Sequence, residues 1–539
     1  MRKFYFRTPD RKKMPENLWT DNADGGFRFA TPTLHSPEPI SSSLTWERDQ
    51  KPCHSFSYAT CKIMEKKMKS YLFYDLETTG LNICFDQILQ FAAIRTDMQF
   101  NEIERYSTFV QLRPDVVYSA QANITNRISV PDTMNGICEF EAVTKIHTLF
   151  NQPNTISIGY NSFNFDDKFL RFSFHRNLLP VYTHQFKNGC YRMDMLPVVT
   201  MYYLFQNNVL KWPEINGKPT LKLEHVSREN QLVTGQAHDA LVDVEATIEL
   251  AKILAKEQKM WNYLIGYFIK NEDKKRITNL PYFFDHDGRK EIWGLMVGTN
   301  YGSEQKYQIP VLYIGDSVPY SNQTLWLRLD LPDLRETTTE TIPEKTWVVR
   351  KKYGESNLLL APENRFLKNL DEERLACVEK NKNWFRKHDD ILQDIIRYYR
   401  EYEYPIIPDL DVDAALYQMG FPDKTDESLC RDFHTASLSD KLKLADRFTN
   451  PEMKRLAIRI FCRNYPSYTP KVFLEKFERH LYDHIYDDKK ALIDYRGKPY
   501  GNFKDVLAEI MDIRENQNVD NKQKQLLNDL ESYVKSKAR

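Results

Sequence analysis

The sequence predicts a multidomain chain in which an α/β domain is followed by a smaller β-rich domain and an all-helical C-terminal domain. Its 539 residues exceed what a single hydrophobic core supports. Strand and helix patterns alternate first, short β-rich stretches follow, and charged segments with helical periodicity come last. We therefore divide the chain into 1–66, 67–262, 263–405 and 406–539.

The first segment, 1–66, differs from the rest of the chain. It contains six prolines, the run SSSL and a Gly-Gly pair, and it has no sustained apolar period. Such a composition cannot bury enough apolar surface to offset the entropy of ordering. We expect either a disordered arm or an assigned start upstream of the real one, with Met64 and Met68 as the alternatives.

In the second segment, the stretches YLFYD, ILQFAAI, YSTFVQL and TISIGY have the pattern of strands, and amphipathic helices are predicted from Asp166 and from Asp239. This alternation is typical of a layered α/β domain. Between 263 and 405, the stretches EIWGLMVGT, QIPVLYIG, TLWLRLDL and TWVVRKK predict a small β-barrel. EMKRLAIRIFCRN and KQKQLLNDLESYVKSK predict helices in the last segment.

The amino-acid composition limits the classes of function that the protein can have. The 75 basic and 75 acidic residues give a formal net charge of zero, which argues against a general nucleic-acid coat but permits an enzyme with a local basic channel. The eight cysteines form no C-x2-C pair, so we expect no zinc ribbon but free thiols in a reducing cytoplasm. No apolar run approaches the length of a membrane span, and we expect no membrane association.

Acidic residues in three separated segments carry the strongest chemical signal. Asp75 and Glu77 lie in YLFYDLETTG, Asp166 lies in YNSFNFDDKF, and His238 and Asp243 lie in AHDALVDVEAT. On a strand, Asp75 and Glu77 point to the same face, where each carboxylate raises the pKa of the other unless a cation lies between them. Hard oxygen ligands favour Mg²⁺ or Mn²⁺, and such a cluster is what two-metal phosphoryl transfer requires.

This ordered set resembles the DEDDh exonucleases, and it is most similar to the bacterial exodeoxyribonuclease I family. The similarity lies in FYDLETTG, in GYNSFNFDDKFLRFSFHRN and in AHDALVDVEATIELAKIL. It continues in DVDAALYQMGF at 411–421 and RIFCRNYP at 459–466, so it extends over about residues 67 to 539. The resemblance implies a ribonuclease H-like exonuclease domain at 67–262, an SH3-like domain at 263–405 and a helical domain at 406–539.

The resemblance also implies a function. We expect a monomeric, cytoplasmic 3′→5′ exonuclease that degrades single-stranded DNA to 5′-mononucleotides in repair and recombination. Two Mg²⁺ ions, which Mn²⁺ could replace, would support hydrolysis. The acidic C-terminal tail of single-strand DNA-binding protein is the implied protein partner.

Residue roles follow from the same resemblance. Asp75 would bridge both cations, with Glu77 and Asp243 on one and Asp166 on the other. His238 would act as general base, since an ordinary imidazole pKa of about 6.5 suits proton transfer near neutral pH.

Five residues are candidate substrate contacts: Glu77, Lys222, Arg171, Tyr182 and Phe186. Lys222 occupies the position of a family arginine, and lysine lacks the bidentate fork with which arginine binds phosphate. Arg171 matches a family arginine. Tyr182 and Phe186 either stack on bases or pack in the core.

Two alternatives stay open. A DEDDh exoribonuclease would use the same site, because the cations contact phosphate rather than sugar, but the roughly 270 residues after the nuclease domain argue against it. A non-catalytic nucleic-acid or protein-binding scaffold is the other alternative. It is opposed by the presence of all five catalytic residues.

Overall fold

The computed structural model describes residues 69–233, 239–284, 290–486 and 490–537. The predictions for 1–66 and for His238 lie outside these residues.

A mixed sheet organises the first region, with strands β1 Ser70–Thr78, β2 Ile88–Thr96, β3 Glu102–Phe109, β4 Thr155–Gly159 and β5 Tyr191–Asp194. Their order is β3-β2-β1-β4-β5, in which β1 pairs antiparallel with β2 and parallel with β4. The strands predicted at β1, β2 and β4 are confirmed, whereas the strand predicted from YSTFVQL begins and ends earlier, at Glu102 and Phe109.

Helices cover both faces of this sheet. They are α1 Ala120–Asn126, α2 Val130–Met134, α3 Glu139–Phe150, α4 Asp166–Arg176, α5 Met195–Phe205, α6 Leu223–Asn230, α7 Ala240–Ala255 and α8 Gln258–Ile265, with a short ribbon of β6 Glu214–Ile215 and β7 Lys218–Pro219. The next helix, α9 Lys270–Thr278, packs through Ile277 on the second sheet instead. Alternate residues of β1 enter different cores: Tyr71 and Phe73 pack in the same cluster as Val244 of α7, while Leu72 packs in the cluster on the other face. The period of two therefore directs Asp75 and Glu77 toward α7.

A second sheet follows, with strands β8 Tyr282–Phe284, β9 Lys290–Val297, β10 Gln308–Asp316, β11 Gln323–Arg328, β12 Val348–Lys352 and β13 Leu358–Leu360. Its order is β12-β11-β10-β9-β13, with β8 paired to β9. The four predicted strands correspond to β9, β10, β11 and β12, while the SH3-like interpretation stays a prediction. The sequence analysis missed the helices of this region, which are α10 Ile342–Lys345, α11 Asn364–Leu367, α12 Glu372–Lys387 and α13 Asp389–Arg400.

The last region is helical, as predicted. Its helices are α14 Lys424–Thr435, α15 Leu438–Ala445, α16 Pro451–Asn464, α17 Lys471–Leu481, α18 Phe503–Asn516 and α19 Asn521–Lys537. Cys462, Phe503 and Leu527 share one apolar cluster with Ile124 and Val143 of the first region. These helices therefore pack on the face of the first sheet opposite α7. In the part of the chain that the structure describes, no helix has both the length and the apolar character of a membrane span.

Candidate metal and active site

Three carboxylates converge where β1 faces the first turn of α7. Asp75 and Glu77 project from the strand, Asp243 projects from the helix, and each offers an oxygen within 4.8 Å of the others. The start of α7 is fixed by Asp239, whose carboxylate accepts a hydrogen bond of 3.0 Å from the backbone N–H of Leu241. The sequence analysis predicts that Asp166 and His238 share this site with the three acids, and those assignments stay predictions.

The carboxylates of this cluster need a positive charge nearby if they are to be ionised together. Burial raises the pKa of Asp75 well above its usual range, and the neighbouring charges of Asp166, Glu77, Asp243 and Asp239 raise it further. Burial and the charges of Asp243 and Asp166 raise the pKa of Glu77 to about 9. Close, hard oxygen donors with these raised pKa values fit a divalent cation, which would favour the ionised carboxylates.

Asp166 interacts electrostatically with Asp75 and Glu77. It is not a member of the group of three carboxylates whose oxygens lie within 4.8 Å of one another. It is the first residue of α4, it is buried, and its charge raises the pKa values of Asp75 and Glu77. Burial raises the pKa of Asp166 itself, while backbone amides, including that of Leu76, oppose the shift. Among the described residues, the set with all oxygens within 4.8 Å comprises Asp75, Glu77 and Asp243 without Asp166.

A buried ion-pair chain supports the N-terminus of α4. Asp167 is fully buried, accepts a hydrogen bond of 2.9 Å from the Tyr74 hydroxyl and pairs with Arg192. Arg192 also donates to Glu355 at 2.9 Å, and its guanidinium lies 4.7 Å from the ring centroid of Phe163. Sequence analysis did not link these residues, because a contact between positions 163 residues apart leaves no local pattern. Glu355, which lies just after β12, thereby connects the second sheet to the helix that carries Asp166.

The structure brings together two of the candidate substrate contacts. The Arg171 side chain is buried, approaches Glu355 at 4.0 Å and lies 5.7 Å from the ring centroid of Tyr182. Tyr182 is half-buried, whereas Phe186 is exposed on the following turn. Lys222 is exposed at the residue preceding α6, a helix that packs on α7. The roles of these residues stay predictions, as does that of His238.

Comparisons with known proteins agree with these features along most of the chain. One family model, described as Exonuclease, matches residues 72–251, and another, described as Exonuclease I C-terminal domain, matches residues 410–537. Exodeoxyribonuclease I of Buchnera aphidicola subsp. Schizaphis graminum is 28% identical over 511 residues, which cover 88% of this chain and 96% of that protein. Exodeoxyribonuclease I of Escherichia coli is 27% identical over 426 residues, with coverage of 74% and 86%.

Solved structures confirm the fold class. Exonuclease I of E. coli in complex with a dA16 oligonucleotide superimposes with a TM-score of 0.76 at 22% identity, covering 87% of this chain and 100% of that chain. The zinc-bound form of the E. coli enzyme with single-stranded DNA gives a TM-score of 0.73 at 22% identity, covering 88% and 100%. An exonuclease domain, a second sheet and a helical C-terminal region are therefore common to these molecules. With one family model matched over the first region and the other over the C-terminal helices, the chain is an exonuclease that is similar to exodeoxyribonuclease I along most of its length.

Proposed function

We propose that this protein hydrolyses single-stranded DNA from its 3′ end and releases 5′-mononucleotides, with Mg²⁺ as its natural cation and Mn²⁺ as a substitute. The observation that carries the proposal is the convergence of Asp75, Glu77 and Asp243 within a chain that matches both family models. The single-stranded DNA bound in the related E. coli structures supports the choice of substrate.

The roles of the residues follow from where the charges lie. Asp75, Glu77 and Asp243 would hold one cation, and Asp75 with Asp166 would hold a second. Bound cations would supply Lewis acidity, which lowers the pKa of water and neutralises charge on the scissile phosphate. His238 would accept the proton of the attacking water.

Further parts of the proposal rest on the similarity to exodeoxyribonuclease I. We propose that the enzyme acts as a cytoplasmic monomer in DNA repair and recombination. We also propose that it docks the acidic C-terminal tail of single-strand DNA-binding protein. The exonuclease assignment itself does not depend on these additions.

The test is digestion of one single strand labelled at either its 3′ or its 5′ end, with Mg²⁺ or with EDTA. A 3′-labelled strand should release labelled mononucleotide from the first turnover, whereas a 5′-labelled strand should shorten progressively. Digestion should stop in EDTA. Early release of the 5′ label instead would contradict the direction of cutting.

Two controls separate the alternatives. Asp243→Asn should abolish digestion, whereas Glu249→Gln on the same helix, which removes a partly exposed acid paired with Lys252, should leave it unchanged. A matched RNA strand should be cut far more slowly than the DNA. Equal rates on the two strands would favour an exoribonuclease, and cation-independent binding without cutting would favour a scaffold.

A further inference from the structure

The loop that joins β1 to β2, residues 79–87, begins two residues after Glu77. Glu77 forms the acidic cluster together with Asp75 and Asp243. The register of the β1–β2 pairing shifts immediately after Glu77. A shift of this kind ends the regular ladder and re-aims the neighbouring side chain. The position of the Glu77 carboxylate therefore depends on how the β1–β2 loop is held, as well as on the strand itself.

The buried carboxylate of Asp86 holds the β1–β2 loop in its shape. It accepts a hydrogen bond of 2.8 Å from the backbone N–H of Asn82 and one of 3.2 Å from the hydroxyl of Thr79. A Cβ atom at Gly80 would lie only 2.4 Å from Oδ2 of Asp86, so the loop backbone lies directly against this carboxylate. A change in the position of Asp86 would therefore move the chain that follows Glu77.

A further hydrogen bond to Asp86 comes from the C-terminal region. Tyr500, three residues before α18, donates its hydroxyl hydrogen to Oδ1 of Asp86 at 2.8 Å. The same hydroxyl oxygen accepts a hydrogen bond of 3.0 Å from the backbone N–H of Val117. The Tyr500 ring is buried, and its centroid lies 5.0 Å from that of Phe85. Because the ring is packed on the exonuclease domain, its hydroxyl has a fixed position from which to orient Asp86.

A second C-terminal side chain holds the same loop from another direction. Glu509 of α18 accepts hydrogen bonds from the backbone N–H of Ala120 at 2.8 Å and from the hydroxyl of Ser119 at 3.1 Å. The backbone N–H of Ser119 donates in turn to the carbonyl oxygen of Thr79 at 2.9 Å. The C-terminal region therefore contacts the β1–β2 loop through two separate chains of hydrogen bonds.

We propose that Tyr500 is a positioning residue, which acts through Asp86 and the β1–β2 loop to hold the Glu77 carboxylate in the acidic cluster. This inference rests on the proposed function and deepens it, because it gives the C-terminal region a part in cation binding and turnover. Since Tyr500 is buried, the loss of its hydroxyl should weaken cation binding and slow the reaction without removing a DNA contact.

The test compares cation binding, turnover and DNA binding in the full chain. Tyr500→Phe keeps the ring and removes the hydroxyl. It should raise the Kd for Mn²⁺, measured by electron paramagnetic resonance of the free ion, roughly 10-fold, the lower end of what partners outside the ligand shell contribute. The kcat on single-stranded DNA with Mg²⁺ should also fall roughly 10-fold, and a higher Mg²⁺ concentration should restore part of the rate. The Kd for oligothymidylate in EDTA should stay at the wild-type value.

Two further variants identify the route of the effect. Tyr399→Phe removes another buried tyrosine hydroxyl, which bonds to the Thr346 hydroxyl at 2.8 Å in the second region, and should leave Mn²⁺ affinity and kcat unchanged. Asp86→Ala should reproduce the losses of Tyr500→Phe, and the double variant should lose no more than Asp86→Ala alone, because Tyr500 acts through Asp86. Melting temperatures above the assay temperature show that folded enzymes are being compared, and the two phenylalanine variants decide the inference even if Asp86→Ala does not fold.

Wild-type Mn²⁺ affinity and kcat in Tyr500→Phe, or equal losses in Tyr399→Phe, would overturn the inference. Failure of the wild type to digest single-stranded DNA would instead overturn the proposed function. In that case weaker Mn²⁺ binding by Tyr500→Phe than by Tyr399→Phe would still support the positioning of Glu77.

Discussion

Glu77 shows how strongly a carboxylate depends on its neighbours when no cation is bound. Burial and the charges of Asp243 and Asp166 raise its pKa to about 9, so ionisation near neutral pH opposes folding. A divalent cation would reverse the sign of this interaction, because it favours the ionised form. The acidic cluster therefore favours cation binding, and it lowers the stability of the folded protein when no cation is bound.

Stability in EDTA should accordingly fall as pH rises. A group with a raised folded pKa contributes stability that is fully present below its unfolded pKa, about 4.3 for a glutamate, and that is lost as pH rises through the folded value of about 9. Thermal melts between those limits should show a decreasing melting temperature, and Glu77→Gln should reduce this slope. Mg²⁺ should raise the wild-type melting temperature more at pH 8 than at pH 6. An unchanged slope in Glu77→Gln would place the titrating groups elsewhere.

His238→Ala tests the predicted general base. Turnover on single-stranded DNA should fall roughly 10²- to 10⁴-fold, the usual contribution of a positioned base. DNA affinity in EDTA should hardly change, because the carboxylates and the candidate DNA contacts remain. The rate that remains should also lose the acidic limb of its pH profile. Activity within a few-fold of the wild type would exclude this role for His238.

At the scale of elements, sequence periodicity identified the strands and helices that carry the acidic cluster. Buried β1 and β2 have continuous apolar runs, and the start of α7 is marked by its capping acid. The bounds of β3 were missed because this strand lies at the sheet edge and alternates exposed and half-buried residues. Helix α12 was missed because its sequence EERLACVEKNKNWFRK is dominated by charge.

Local patterns could not reveal what supports the site. The convergence of the acids was predictable because D-x-E geometry and motif order constrain it. The link from Asp167 through Arg192 to Glu355 depends on tertiary packing alone. Ion pairs between residues that are far apart in the sequence follow no periodic pattern, so sequence analysis cannot predict them.

Arg192→Ala tests this support for α4. It leaves Asp167 fully buried without its cation, which should lower the free energy of unfolding by about 3–5 kcal/mol. Tyr74→Phe removes only the hydrogen bond to Asp167 and should cost about 1–3 kcal/mol. Arg431→Ala breaks an exposed pair with Glu427 and should cost no more than about 1 kcal/mol. Urea denaturation measures all three, and equal losses in Arg192→Ala and Arg431→Ala would contradict a supporting role for the buried pair.

At the scale of the molecule, the C-terminal helices and the exonuclease domain share more than an apolar core. Arg463 of α16 donates to Asp115 of the first region at 2.8 Å through Nε, and it also pairs with Asp413. All three side chains are almost fully buried. The pair therefore connects regions 348 positions apart in the sequence. Both the buried ion pairs and the apolar core connect the C-terminal helices to the exonuclease domain. We therefore expect the two regions to unfold together.

Arg463→Met should weaken this connection in a way that depends on pH. Although burial alone would raise it, the pKa of Asp115 is lowered to about 2 by the charges of Arg463 and Arg113, and the pKa of Asp413 is also lowered. A group with a depressed folded pKa contributes stability that is present above its unfolded value, about 3.9, and lost as pH falls through the folded value. At pH 7 the variant should lose about 3 kcal/mol of unfolding free energy, because two buried carboxylates lose the cation that they share and keep only Arg113 beside Asp115 and Arg459 beside Asp413.

The difference between the wild type and Arg463→Met should shrink as pH is lowered toward 4, because protonation of the carboxylates removes the negative charge that Arg463 no longer neutralises in the variant. Arg455→Met lies on the same helix but breaks only a partly exposed pair with Glu452, so it should cost no more than about 1 kcal/mol. Denaturant unfolding followed by fluorescence at several pH values measures these differences. A loss in Arg463→Met that stays constant with pH would mean that packing of its side chain, rather than charge, joins the two regions.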